Sequence, residues 1–166
     1  MTLWFCERHI MRAIEFLTEL FDPKTSFSLE WDDSFAPTEY HAYAYDHKGR
    51  IIAISFVPMY IDPDGWEAIS IDFTRGGTFD VTGYGDAERV FATVINAVKT
   101  YLSTYNRPLF VLFSGKEDSR FKLYHRLVQR FASQFGYQQV PYDKLPHDVQ
   151  EIPGMPKDVF ALMRTR

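Results

Sequence analysis

Thr78-Phe79-Asp80-Val81-Thr82-Gly83-Tyr84-Gly85-Asp86-Ala87 is the stretch on which the reading of this chain turns. Its first five residues alternate as the end of a strand does, and Gly83-Tyr84-Gly85-Asp86 breaks the alternation. From Ala87 onward, Val90, Phe91, Val94, Ala97, Val98 and Tyr101 recur at i, i+3, i+4 spacing, which predicts a helix over 87–101. Residues 108–113 are a short apolar run of strand type, and 119–135 read as a second amphipathic helix. The span 78–137 is therefore strand, glycine turn, helix, strand, helix.

The flanks read as support for this unit. Ile10, Ala13, Ile14, Leu17, Leu20 and Phe21 form one apolar stripe, predicting a helix over 3–21 that Asp22-Pro23 ends. Residues 26–31 read as a short strand or a lid over a cleft. Tyr40-His41-Ala42-Tyr43-Ala44-Tyr45 alternates in period two, Asp46-His47-Lys48-Gly49 is a turn, and 50–57 returns as the second arm of a hairpin that Pro58 is expected to end. Residues 66–73 form a further strand, with Ala68, Ser70 and Asp72 on one face and Ile69, Ile71 and Phe73 on the other. Arg75-Gly76-Gly77 then turns or bulges the chain. Residues 138–140 and 159–164 read as closing strands. The connection 142–156 between them is long enough to suggest a functional role.

The chain has 166 residues, is 46% hydrophobic and 17% aromatic, and so carries enough apolar mass for one domain with a core of large rings. Its net charge of −4 gives no argument for nucleic acid or an anionic membrane. The acidic run around Glu30, Asp32 and Asp33, and the basic one of Arg120, Lys122, Arg126 and Arg130, read most simply as solvated faces. Cys6 is the single cysteine, which excludes an internal disulfide framework. No signal peptide or membrane-length apolar run is visible, so a cytoplasmic protein is expected.

Three features could carry chemistry. A strand ending in Gly83-x-Gly85 and opening a helix can cradle an anion on free backbone amides, or be a plain turn capped by Asp86. A phosphate there would be repelled unless the Asp86 carboxylate turns away. Tyr124, in the second turn of the 119–135 helix, either donates a proton into a cleft or packs in the apolar stripe of Val128, Phe131 and Phe135. Glu67 and Asp72 are candidate general bases or solvated strand-end carboxylates. The five histidines show no metal-ligand spacing, and no metal site is expected.

The order of these elements, with Gly83 and Gly85, Leu123-Tyr124 and Gly136-Tyr137, resembles the GNAT acyltransferase family. In that family a central strand ends in an Arg/Gln-x-x-Gly-x-Gly/Ala loop that binds pyrophosphate. A long helix and a splayed strand follow, and a second helix carries a Leu-Tyr pair. The likeness covers roughly 39–164. Gly83-Tyr84-Gly85-Asp86-Ala87 with Val90-Phe91-Ala92-Thr93-Val94, Phe113-Ser114 and Ser119-Arg120-Phe121-Lys122-Leu123-Tyr124 looks like small GNAT-like proteins of tailed bacteriophages.

The resemblance implies an α/β (α+β) fold: one GNAT-like domain over 1–166, a mixed, mostly antiparallel sheet and helices on both faces. An N-terminal helix and lid region would span 1–38, a core 39–140, and a closing loop and strand 141–166. It implies an acyl-CoA-dependent N-acyltransferase using acetyl-CoA. The loop at Val81, Gly83, Tyr84, Gly85, Asp86 and Ala87, together with Ser114 and Arg120, would hold the cofactor. Tyr124 would protonate the leaving thiolate, and Glu67 or Asp72 would deprotonate the amine of a protein or small molecule. At the position of the family's Arg or Gln stands Asp80, which cannot donate to pyrophosphate, so binding there would rest on backbone amides. The alternative is a non-catalytic GNAT-like module, a phage structural component or a binder of host or phage protein. An exposed patch of Trp4, Trp31, Tyr40 and Tyr60 would favour that alternative.

Overall fold

The computed structural model describes residues 25–61, 63, 67–77, 86–113, 125, 132–152 and 159–165. The expected 3–21 helix, the 78–82 strand and most of the 119–135 helix lie outside the described residues. A seven-stranded sheet organises the rest, in the order β1-β2-β3-β4-β5-β7-β6. The strands are β1 (Glu30–Asp32), β2 (Tyr40–Tyr45), β3 (Ile51–Ile61), β4 (Glu67–Arg75), β5 (Phe110–Phe113), β6 (Tyr137–Val140) and β7 (Phe160–Arg164). Every pairing among them is antiparallel except β4 with β5, whose connection contains the long helix α1 (Ala87–Thr104). The fold is α+β with a mixed, mostly antiparallel sheet, as expected.

The period-two residues sort onto two faces. Ala42, Ala44, Ile52, Ile54, Phe56, Ile69, Ile71, Val111, Phe160 and Leu162 meet the Val90, Val94, Ala97, Val98, Tyr101 and Leu102 stripe of α1 in one core. Ala132, from a helical turn at 132–134, joins that core. The other face of β4, β5 and β7 buries Ala68, Phe110, Leu112 and Ala161 under Leu145 and Val149. Those two residues come from the connection between β6 and β7. The described part of that connection winds through a 3-10 turn (Tyr142–Lys144) and a short helix α2 (His147–Gln150). Helices thus cover both faces.

Three boundaries differ from the sequence expectation, each for a local reason. Pro58 does not end β3: it faces Ile69, and the register shifts by one residue between Pro58 and Tyr60. The described pairing of β2 ends at Phe56, so this part of β3 has β4 alone beside it, and a bulge there tolerates the missing amide. Arg75 ends β4 rather than opening a turn, and Gly76 and Gly77, at φ +57° and +76°, make the turn after it. The α1 helix runs past Tyr101 to Thr104 because Leu102 is buried too.

The aromatic residues close the lower end of the sheet. Trp31, Tyr40, Phe56, Tyr101 and Tyr105 form one ring cluster, with centroids 4.3–6.0 Å apart. Trp31 and Tyr40 are therefore half-buried core partners and not a surface patch. The side chains of Trp4 and Tyr60 lie outside the described residues.

Candidate functional site

The parallel pairing of β4 and β5 runs from Ala68 opposite Phe110 to Ile71 opposite Phe113. Residue 113 is the last described one of that segment, while β4 is described on through Asp72, Phe73 and Thr74 to Arg75, paired with β3 on its other side. A four-residue stretch of β4 thus runs beyond the last described pair with β5. The α1 helix begins beside it, because Arg75 and Asp86 are bonded to each other.

Arg75 is the hub. Its side chain is 1% exposed, and it points to the α1 side of the sheet with Ile69, Ile71 and Phe73. Its Nε and Nη2 donate to Asp46 Oδ2 at 2.9 and 2.6 Å. Nη1 and Nη2 donate to the two oxygens of Asp86 at 2.7 and 2.6 Å. Asp46 also accepts Arg50 Nε at 2.7 Å and the amides of Lys48 and Arg50 at 2.8 and 2.9 Å. Among the described residues two arginines thus meet two aspartates. A charge buried as deeply as Arg75 is held only by such full pairing. The bonds shift both partners. The Arg75 guanidinium holds the Asp86 carboxyl below its ordinary range against the opposing effect of burial. Burial opposes ionisation of Asp46, but the amide and guanidinium donors from Arg50 and Arg75 outweigh it and hold its pKa low. Asp86, then Asp46, raise that of Arg75.

This arrangement changes the expected role of Asp86. It occupies the N-cap position of α1, but its side chain makes no cap hydrogen bond, because both oxygens are taken by Arg75. Its carbonyl accepts the Val90 amide at 3.1 Å, closing the first turn. The carboxylate that would repel an anion is turned away and neutralised. Arg89, two residues into the helix after Ala87, lies over the Phe27 ring at 4.2 Å. Its Nη1 meets His47 Nε2 at 3.0 Å, and its buried Nε has no hydrogen-bond partner. The helix start is thus flanked by positive charge and is not capped by its own Asp.

The two candidate bases are separated. Glu67 starts β4 and accepts a hydrogen bond from the Asn106 side chain, beyond the C-terminal end of α1. Asp72 lies five residues on, about 16 Å along the strand and on the opposite face. It is half-buried, one residue past the last β4–β5 pair, with Ser70 Oγ at 3.4 Å. Its row across the sheet is polar: Asp32 faces His41, His41 faces Ser55 and Ser55 faces Asp72. Glu39 holds His41 Nε2 at 3.0 Å. Of the remaining candidates, Ala87 opens α1, while Val81, Gly83, Tyr84, Gly85, Ser114, Arg120 and Tyr124, with Asp80, lie outside the described residues.

Asp46, Arg50 and Arg75 were not candidates from sequence. The available signal was an arginine closing an otherwise apolar central strand, a position that demands a buried partner. The spacing of 29 residues to Asp46 gave no hint of which partner.

Residues 70–140 match a protein family described as a family of unknown function (DUF6934). The match takes in the later part of β4, α1, β5 and β6, with Arg75 and Asp86 of the hub but not Asp46 or Arg50. No curated protein matches the chain. Among the described residues no helix is long and apolar enough to cross a membrane.

Proposed function

We propose that this protein is an acyl-CoA-dependent N-acyltransferase of the GNAT type, phage-encoded and acting in the host cytoplasm. It moves an acetyl group from acetyl-CoA to an amine of a protein or small molecule. The observation that carries this reading is the start of α1, where the Asp86 carboxylate makes no cap bond to the helix amides because Arg75 holds both of its oxygens. A pyrophosphate needs amides at a helix start with no carboxylate aimed at them, and Asp86 is turned away. Gly136, at φ +76°, leads directly into the penultimate strand at Tyr137, in the order the resemblance implies.

Acetyl-CoA supplies an activated thioester. The chain's part is to hold it and to manage protons. The amides at the start of α1 and of Gly83 and Gly85 would hold the pyrophosphate, and Ser114 and Arg120 would add further contacts. Asp72, half-buried on β4 in the polar row with Ser55 and His41, takes the proton of the acceptor amine. Tyr124 serves as the proton donor to the departing thiolate. Glu67, held by Asn106 at the far end of β4, is assigned to the structure of that end.

Isothermal titration with acetyl-CoA tests the reading. Binding in the micromolar range that is lost in Gly85→Val supports it. No binding at millimolar acetyl-CoA overturns it and leaves the non-catalytic module, a binder of host or phage protein.

A further inference from the structure

We infer that the sheet face turned away from α1 is a docking surface for a cationic, lysine-bearing peptide, which lies along an aromatic ridge on β2. The inference rests on the acyltransferase reading only for the peptide's role as acceptor. The docking itself stands on the surface.

Among the described residues the exposed large hydrophobic side chains are Phe35 at 60%, Tyr45 at 49% and Ile51 at 44%. They gather on one side of the sheet. Ala42, Ala44, Ile52, Ile54 and Phe56 fill the α1 side of β2 and β3, so His41, Tyr43, Tyr45 and Ile51 stand on the other. Phe35, in the loop after β1, meets the His41 ring edge-on at 6.0 Å, and His41 stacks on Tyr43 at 6.2 Å. Tyr45 follows Tyr43 about 7 Å along the strand and pairs with Ile51. Contiguous apolar surface rimmed by polar residues marks an interaction site.

Charge selects the occupant. Glu30 stands opposite Tyr43, Asp32 stands opposite His41 and exposed Asp33 follows it. Glu39 Oε2 lies 3.0 Å from His41 Nε2. Ser34 donates to Asp32 from its hydroxyl and its amide and holds that carboxyl below its ordinary range, so it stays charged. The ammonium groups of a lysine-bearing peptide meet both ring faces and carboxylates here. A nucleic acid would also stack on the rings, but it brings phosphates to the same carboxylates and is repelled. The row from Asp32 through His41 and Ser55 ends at Asp72. A lysine docked on the ridge is therefore on the side of the sheet that carries the proposed base.

Fluorescence anisotropy of the full chain at low salt tests this, with a fluorescein-labelled peptide of alternating Gly and Lys as the probe. The same peptide with every lysine acetylated, its Gly-Glu counterpart and a single-stranded oligonucleotide are the controls. We expect the Gly-Lys peptide to bind and the controls not to. F35S and Y45S, both at exposed positions, should each weaken binding about two- to fivefold. E30Q/D33N should weaken it too and reduce its dependence on salt. A circular-dichroism melt of each variant reports its fold. No binding of the Gly-Lys peptide, equal binding of any control, or F35S and Y45S as tight as wild type overturns the inference. So does wild-type protein that sediments as a dimer while Y45S is a monomer, because the face then belongs to a second copy. Acetyl-CoA separates the two readings. A peptide that docks but gains no acetyl mass sinks the acyltransferase reading and leaves the docking surface. A peptide acetylated with equal kcat/KM by wild type, F35S and Y45S sinks the docking surface and leaves the acyltransferase.

Discussion

The ring of Tyr101 lies flat against that of Phe56, with centroids 4.3 Å apart and planes 5° from parallel. This stack fastens the last turns of α1 to β3. The Tyr101 side chain is fully buried, yet its hydroxyl makes no well-formed hydrogen bond, because the neighbouring Asn106 amide donates to Glu67 instead. The ring therefore stabilises the fold while the oxygen costs it.

Y101F should accordingly keep the stack and raise stability by about 1 kcal/mol, whereas Y101A should lose about 3–5 kcal/mol. Burial pushes the Tyr101 pKa up to about 12. The unfolded chain ionises near the ordinary value of about 10, so wild-type stability is fully present below that pH and falls as pH rises through the interval up to the folded pKa. Chemical denaturation between pH 9 and pH 12 should show this decline in wild type and a weaker one in Y101F. Equal declines would remove Tyr101 from the alkaline limb.

Acid should act on the opposite pole of α1. Asp46 and Asp86 have folded pKa values below their ordinary ones, so their contribution is present above about pH 4 and is lost as pH falls below it. D46N leaves Arg75 and Arg50 short of a carboxylate and should cost about 3 kcal/mol near neutral pH. It should also flatten the acid limb of a stability–pH profile. A D46N protein as stable as wild type would mean that the hub adds no net stability.

Gly136 turns the chain from the 132–134 helical turn into β6 at φ +76°. A Cβ there would sit 2.9 Å from Arg107 Nη2, which donates to the Phe135 carbonyl at 2.8 Å. G136A should cost about 1–2 kcal/mol from left-handed backbone strain, seen as a lower denaturation midpoint. Loss of the Arg107 bond would add to this.

Under the proposed acyltransfer, the two strand carboxylates should separate in kinetics. D72N should lower kcat/KM by about a hundredfold or more against any amine that proves to be an acceptor. E67Q should leave kcat/KM unchanged and act on thermal stability through Asn106. Acceptor screening with both variants checks this, and equal losses in the two would reassign the base.

Sequence by itself determined the faces and the types of the elements. Alternation in Tyr40–Tyr45 and from Ala68 to Phe73, and the helical spacing from Val90 to Tyr101, state which side of each segment is apolar, and burial follows those patterns. The Asp46-His47-Lys48-Gly49 turn was equally legible, because Gly49 supplies the φ of +74° that the hairpin needs. Periodicity, however, says which face is buried and not what buries it. Only the tertiary structure inserted β7 between β5 and β6, paired β5 in parallel with β4, and let Pro58 pass through a bulge. The same limit hid the hub. Asp46, Arg75 and Asp86 are separated by 29 and 11 residues. They meet because strand register and helix placement bring one buried guanidinium between two carboxylates, and a charge in that position needs both.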